Sequence, residues 1–466
     1  MLLSVTMRHT FWRDGRRSRL GILAGAIPFF LLATASFVNG QAAGAANQDF
    51  AHQDLSSEGK LAAITLDEAI RRAEANEPAY AAAAAESRAS ALDPSIARAG
   101  LLPGVVYHNQ ELYTQTNRGQ PTPRFIANNA LREYSSQAVV NETLGLGLVA
   151  GVRRADAEAA RARAELEIAR RGLVAAVTGL FYGSLAADKK LTVAERARGE
   201  AGDFTGLTNK RERAREGAHA DVVKAQLVEQ QRERELGDAK VAAEKARLEL
   251  GVLLFADPRT PYVLAEADAA PEIPTRAEVE QAAGRNNPEL KSALAALGVT
   301  NADVLAARAA YLPDLGLNVT YGIDAPQFAV NGPDHARNLG YSASLTLDIP
   351  VWDWLATEHK VKQSEIRRDA ARVALTATQR RLIARLDEAY EEAATARDQL
   401  ASLDASVATA AESLRLTKLR YAEGEASVLE VVDAQSASVG AENAREDGRV
   451  RYQTARADLQ TITGNL

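Results

Sequence analysis

The chain carries the same landmarks twice. Ile64-Thr65-Leu66-Asp67-Glu68-Ala69 leads to Asn76-Glu77-Pro78, and Pro274-Thr275-Arg276-Ala277-Glu278 leads to Asn286-Asn287-Pro288. The prolines that end these stretches, Pro78 and Pro288, stand 210 residues apart. Ala99-Gly100-Leu101-Leu102-Pro103 and Ala309-Ala310-Tyr311-Leu312-Pro313 keep that offset. Asp221-Val222-Val223-Lys224-Ala225-Gln226 and Glu430-Val431-Val432-Asp433-Ala434-Gln435 lie 209 apart. One offset held across three landmarks makes the chain two copies of a unit of roughly 200 residues, and any fold must accommodate both in the same way. The copies are read as 61–256 and 275–466, with 257–274 between them as a linker marked by Pro258, Pro261, Pro271 and Pro274.

Each copy reads as helix, strand, strand, long helix, long helix. From Leu315 to Ile323 the odd positions are apolar and the even ones small or polar, and Tyr341 to Val351 repeats the pattern. Period two over about ten residues is the length and rhythm of a membrane-crossing β-strand. The strands are expected at 103–116 and 134–150, where Leu144-Gly145-Leu146-Gly147-Leu148 also alternates, and at 313–324 and 339–351. A half-buried soluble sheet would alternate too, but the inward partners here are Gly, Ser, Ala, Asn and Thr, too small to fill a core. Long proline-free stretches follow, with helices expected at 152–209, 218–255, 355–421 and 427–463. At about 1.5 Å per residue, some 57 residues extend about 85 Å. Apolar residues spaced by three and four, as at Val407, Ala411 and Leu414, give a coiled-coil-like seam.

The first 40 residues give an address. Arg13, Arg16, Arg17 and Arg19 precede an apolar run, Leu20 to Val38, and Val38-Asn39-Gly40 places small residues before a cut after Gly40. This is the layout of a cleaved secretory signal. A permanent anchor is the other reading, weakened by Pro28. Residues 41–60 read as a polar, flexible leader.

Composition excludes several functions. The chain of 466 residues has no cysteine, so disulfide scaffolds, thiolate metal sites and thiol nucleophiles are out. A net charge of −6 with interspersed signs gives no case for nucleic acid. The six histidines (His9, His52, His108, His219, His335 and His359) show no metal-ligand spacing. His219 is the one near a predicted turn between long helices. There is no Gly-x-Ser-x-Gly elbow, phosphate-binding loop or other catalytic constellation. The reading is therefore of a non-enzyme without cofactor or metal.

Four strands cannot close a barrel, and an open sheet edge in lipid leaves backbone groups unsatisfied at several kcal/mol each. If the strands lie in a membrane, several chains must share one barrel. Three copies would supply twelve strands.

At this point the sequence resembles the TolC-like outer-membrane efflux protein family. The carrying residues are Thr65-Leu66-x-x-Ala69 with Asn76-x-Pro78, and the strand entries Leu102-Pro103 and Leu312-Pro313. The most specific run is Arg420-Tyr421-x-x-Gly424-x-x-Ser427-x-x-Glu430-Val431-Val432-Asp433-Ala434-Gln435. The resemblance spans about 61–466. It implies a homotrimer with a twelve-stranded outer-membrane β-barrel on a long periplasmic α-helical barrel, in a double-membraned bacterium. It also implies an exit duct for tripartite efflux or type I secretion. The implied partners are a periplasmic adaptor, an inner-membrane transporter of RND, ABC or MFS type, and outer-membrane lipid. A periplasmic coiled-coil scaffold or adaptor without a pore is the alternative, and it would not need the paired strands.

The resemblance also implies a gate at the helical tip, with acidic rings that bind cations at Asp221, Glu430 and Asp433. Tyr421 is the implied latch, touching Asp221. Gly217, Gly424 and Ser427 are expected to shape the tip turns and meet the adaptor. The first tip departs from the pattern. It has no glycine where the second has Gly424, and Ala218 stands in place of a Ser or Thr. A tip arginine of some members is Ala426 here. Independently, carboxylates brought round one axis repel each other and create a cation site. Ser427-x-x-Glu430 is also a capping box, which would explain Glu430 without a pore. Asp433 lies a turn deeper, where capping explains it less well. Trp352 and Trp354 suit either an interfacial aromatic belt or packing where strand meets helix.

Overall fold

The computed structural model describes residues 63–464 except 114–115, 118–119, 124–131, 266–271 and 334. The signal and leader expected at 1–40 and 41–60 lie outside the described residues. Elements follow in the order α1 (Leu66–Asn76), α2 (Pro78–Ser90), α3 (Asp93–Ala99), β1 (Gly104–Tyr113), β2 (Thr116–Asn117), β3 (Gln120–Pro123) and β4 (Arg132–Leu144). Then come α4 (Leu146–Arg213), α5 (His219–Leu254), α6 (Arg276–Asn286), α7 (Pro288–Ala309), β5 (Asp314–Ala325), β6 (Leu339–Asp348), α8 (Ala356–Ala422) and α9 (Val428–Thr463).

The repeated landmarks are helix punctuation. The Thr65 hydroxyl accepts from the Glu68 N–H, and Thr275 with Glu278 forms a full capping box. Pro78 and Pro288 each open a helix in the first turn, where their missing N–H costs nothing. Pro94 breaks the first copy's second helix into α2 and α3, while α7 runs unbroken for 22 residues. Helix α4 has 68 residues and α8 has 67, about 100 Å each at the helical rise. Each long helix packs along its successor, α4 on α5 and α8 on α9, and α4 also meets α7 and α9.

The four long strands form one antiparallel sheet in the order β1-β4-β5-β6. The inner pairing, β4 with β5, joins the two copies. Strands β1 and β6 are its edges. The register sorts side chains by face. Leu315, Leu317, Val319, Tyr321 and Ile323 stand opposite Leu347, Leu345, Ala343, Tyr341 and Leu339. The other face carries Gly316 with Thr346, Asn318 with Ser344, Thr320 with Ser342 and Gly322 with Gly340. A Cβ at Gly322 would stand 2.2 Å from the Ser136 carbonyl oxygen of β4, so the close strand approach there requires glycine.

Three strand ends differ from expectation. The Leu-Gly alternation after 143 is not strand: β4 stops at Leu144 and α4 begins at Leu146. Gly145 is extended, and its carbonyl takes the Leu148 N–H to open the helix. The β4–β5 ladder ends at the pair Leu144–Leu315, one residue from the start of β5, so no partner remains for further strand. Likewise β6 ends at Asp348 rather than at 351, paired with Asp314, and Pro350 beyond it has no N–H to offer. Strand β1 stops at Tyr113 rather than 116, where its pairing with Arg132 ends.

Core packing is concentrated where the short helices meet the long ones. Ala69 and Ala73 of α1 pack with Val177, Phe181, Leu250 and Leu254. In the second copy Val279 and Ala283 of α6 pack with Leu386, Ala393, Ala455 and Leu459. A third cluster lies at the far ends of the long helices: Phe204, Ala225, Tyr421, Val428 and Val431.

Candidate functional site at the helical tips

Both helical turns close by the same hydrogen bonds. In the first, Glu216 N–H donates to the Arg211 carbonyl at 2.8 Å, and Arg215 N–H donates to Glu212. In the second, Glu425 N–H donates to the Arg420 carbonyl at 2.8 Å, and Gly424 N–H donates to Tyr421. This helix ending requires a left-handed residue. Gly424 supplies it at φ 85°, and Arg215 supplies it at φ 62° in the first copy, where the glycine is missing. Gly217 lies two residues further on, against Arg211 and Glu212.

The two following helices begin differently. Ser427 caps α9: its hydroxyl accepts from the Glu430 N–H, and Glu430 Oε1 accepts from the Ser427 N–H at 3.0 Å. The Ser427 backbone and hydroxyl donors, with Arg420 3.4 Å away, hold the Glu430 carboxyl below its usual range. Ala218 opens α5 with no side-chain cap. Asp221 occupies the third helical position there, the counterpart of Glu430, and is half-buried. Asp433 is exposed one turn along α9, and its counterpart in the first copy is Lys224. His219 sets Nδ1 2.7 Å from Glu212 Oε1, in the open.

Tyr421 is 6% exposed, with its ring edge-on to Phe204 at 5.1 Å. The Arg211 guanidinium stands 4.9 Å from the ring centroid and donates to the Tyr421 carbonyl. Burial raises the Tyr421 phenol pKa, Arg211 opposes this, and the nearby Asp221 charge adds to it. The Asp221 charge thus acts on the Tyr421 phenol, while Arg211 donates its hydrogen bond to the Tyr421 backbone carbonyl. Further up, Lys418 pairs with Glu200 at 2.7 Å. Arg211 and Phe204 carried no motif in the sequence. Their seven-residue spacing, which sets them on one face of α4, was the only signal.

At the other end, Tyr341, Leu345 and Leu347 on the apolar sheet face are 82%, 69% and 58% exposed. Trp352 and Trp354 stack edge to face at 5.8 Å, and both face solvent in the single chain rather than packing on the helices. Among the described residues no cluster of His, Asp and Glu could hold a metal.

The family model described as outer membrane efflux protein matches residues 279–465, most of the second copy. Protein CyaE of Bordetella pertussis is 28% identical over 67% of this chain, and the aligned stretch spans 66% of CyaE, just under two thirds of its length. The alkaline protease secretion protein AprF of Pseudomonas aeruginosa is 23% identical over 84% of the chain and 82% of AprF. The crystal structure of the Campylobacter jejuni CmeC outer membrane channel superposes with a TM-score of 0.73 at 17% identity, covering 86% of this chain and 85% of CmeC. The chain resembles the TolC-like outer membrane efflux proteins, and its second copy matches that family's model. Its fold is that of the family's channels, an α-barrel continued by a β-barrel. Its place is the outer membrane, with a large periplasmic part. The family is one of channel proteins.

Proposed function

We propose that three copies of this chain form the exit duct of a tripartite efflux pump or a type I secretion system, gated at the helical tips. The observation that carries it is the sheet. Its edges β1 and β6 are open, and along β5 and β6 one face is apolar and largely exposed while the other is lined by Gly, Ser, Thr and Asn. In lipid those edges must be paired, and three sheets joined edge to edge make a closed barrel of twelve strands. The apolar face then meets the acyl chains and the small polar face a wet lumen. Trp352 and Trp354 sit at the strand-to-helix boundary, where aromatic rings suit the lipid interface.

Three copies of Asp433, and of half-buried Asp221, brought round one axis make a cation-binding constriction. Glu430 serves first as the α9 cap, since both Ser427 donors engage it. The tip turns around Gly217, Gly424 and Ser427 face a periplasmic adaptor, which links the duct to an inner-membrane transporter. Efflux and secretion use the same geometry; AprF is named for protease secretion.

Planar-bilayer conductance of the purified protein tests this. Cation-selective current, blocked by millimolar divalent cation and unblocked in Asp221→Ala with Asp433→Ala, is the expected result. Current without block would remove the acidic gate. A folded, membrane-inserted oligomer that never conducts would overturn the duct in favour of a scaffold.

A further inference from the structure

The two helical hairpins return on equivalent helices that carry opposite charge. Helices α5 and α9 are both 36 residues long and open at His219 and Val428, 209 residues apart. Each follows a turn closed by the same hydrogen bonds. Val222 and Ala225 of α5 are buried, and so are their counterparts in α9, Val431 and Ala434. Because each residue turns a helix by a fixed angle, the two helices sit at the same rotation on their hairpins. Lys224 and Asp433 are each the sixth residue of their helix, between that buried valine and alanine, and both are exposed. The contrast of charge runs through the tips. From 210 to 224 five Lys and Arg face three acids, whereas from 419 to 433 Arg420 alone faces four.

We infer that Lys224 sets the charge of the tip constriction: in the assembled duct its three copies alternate with the three copies of Asp433 and weaken the hold of that ring on divalent cations. This rests on the duct reading above. Helix α4 packs along α9 within one chain, so three chains around an axis present the two kinds of hairpin in alternation. At equal height and equal rotation, the direction Asp433 takes toward the axis is also the direction of Lys224. An ammonium between neighbouring carboxylates offsets their repulsion and opposes a cation that would bridge them. Asp221, three residues nearer the tip on α5, keeps the neck acidic on balance. Current therefore stays cation-selective while block requires millimolar divalent cation. Glu430 adds little to the ring, since Ser427 and Arg420 already engage it. Lys224 is then the one counter-charge that separates a neck a divalent cation visits from one it plugs.

The test is planar-bilayer conductance of the purified trimer. Magnesium is the blocking ion, and the reversal potential in a potassium chloride gradient measures selectivity. At about 0.1 M salt, Lys224→Gln is expected to lower the half-blocking magnesium concentration roughly tenfold and to shift reversal further toward the potassium potential. The gain shrinks at about 1 M salt, where charges are screened over about 3 Å. Lys224→Arg keeps the charge and should match wild type. Asp433→Asn added to Lys224→Gln should cancel most of the gain, because the two residues act on one ring. Lys240→Gln removes the same charge from an exposed position of α5 about 24 Å further from the tip, beyond two screening lengths, and should change neither reading. Tighter block confined to Lys224→Gln supports the assignment, including the case in which wild type conducts without block. Equal block and reversal in Lys224→Gln and a conducting wild type overturn it and leave the duct standing, and so does an equal gain from Lys240→Gln. A folded, inserted wild type that does not conduct overturns the duct reading itself, and the assignment falls with it.

Discussion

At the residue scale, the two tips solve one backbone problem with different side chains. Gly424 adopts the left-handed conformation freely, whereas Arg215 adopts it against the steric preference of an L-residue. Arg215→Gly should therefore stabilise the protein by about 0.5–1 kcal/mol, and Gly424→Ala should destabilise it by about 1 kcal/mol. Thermal unfolding of both variants gives the two signs side by side. The capping box makes a second prediction. The folded Glu430 carboxyl titrates below its unfolded value of 4.5, because Ser427 donates to the charged form. Its contribution is full above that value and is lost as pH falls through the folded pKa. The midpoint of thermal unfolding of Glu430→Gln should then fall less steeply than that of wild type on acidification.

At the element scale, the sheet has two faces of opposite demand. Neighbouring residues of β6 test them. Leu345 stands opposite Leu317 on the apolar face, and Ser344 opposite Asn318 on the small polar face. Leu345→Arg sets a charge against lipid, at a cost of up to about 2–4 kcal/mol depending on depth. Ser344→Arg sets it in the lumen. The expected outcome is loss of membrane-inserted trimer for the first, and normal insertion with reduced cation current for the second. Flotation with lipid vesicles and conductance read the two effects separately. Equal insertion of both variants would count against the assignment of the faces.

At the scale of the whole molecule, the two copies are joined by more than the β4–β5 ladder. Arg171 of α4 is buried, pairs with Glu167 at 2.7 Å and donates to the Thr461 carbonyl at 2.9 Å and to Asn286 at 3.3 Å. It thus ties the first copy to the ends of α9 and α6. Arg171→Ala leaves those carbonyls without their donor and should cost about 2–3 kcal/mol. Glu167→Ala on top of it should add little, because both changes break one network. Urea unfolding of the single and double variants measures this.

The duplication, the helix starts and the long helices were legible in the sequence, because they rest on local chemistry. Thr65, Thr275, Pro78 and Pro288 act on backbone groups within a turn of themselves. Period two likewise exposed β5 and most of β6. It misled at Leu144 to Leu148, since alternation persists there while the strand's partner has run out. The tertiary structure alone decided which strands neighbour each other, and so which edges stay open. It alone placed Arg211, one cation in a charged run, on the ring of Tyr421 some 210 residues away. Arg215 shows the same limit: no preference of arginine announces a left-handed turn, and the hydrogen bonds of the helix end impose it. Local patterns determine elements because their energies are local. The pairing of elements depends on contacts distant in sequence, which only the folded chain brings together.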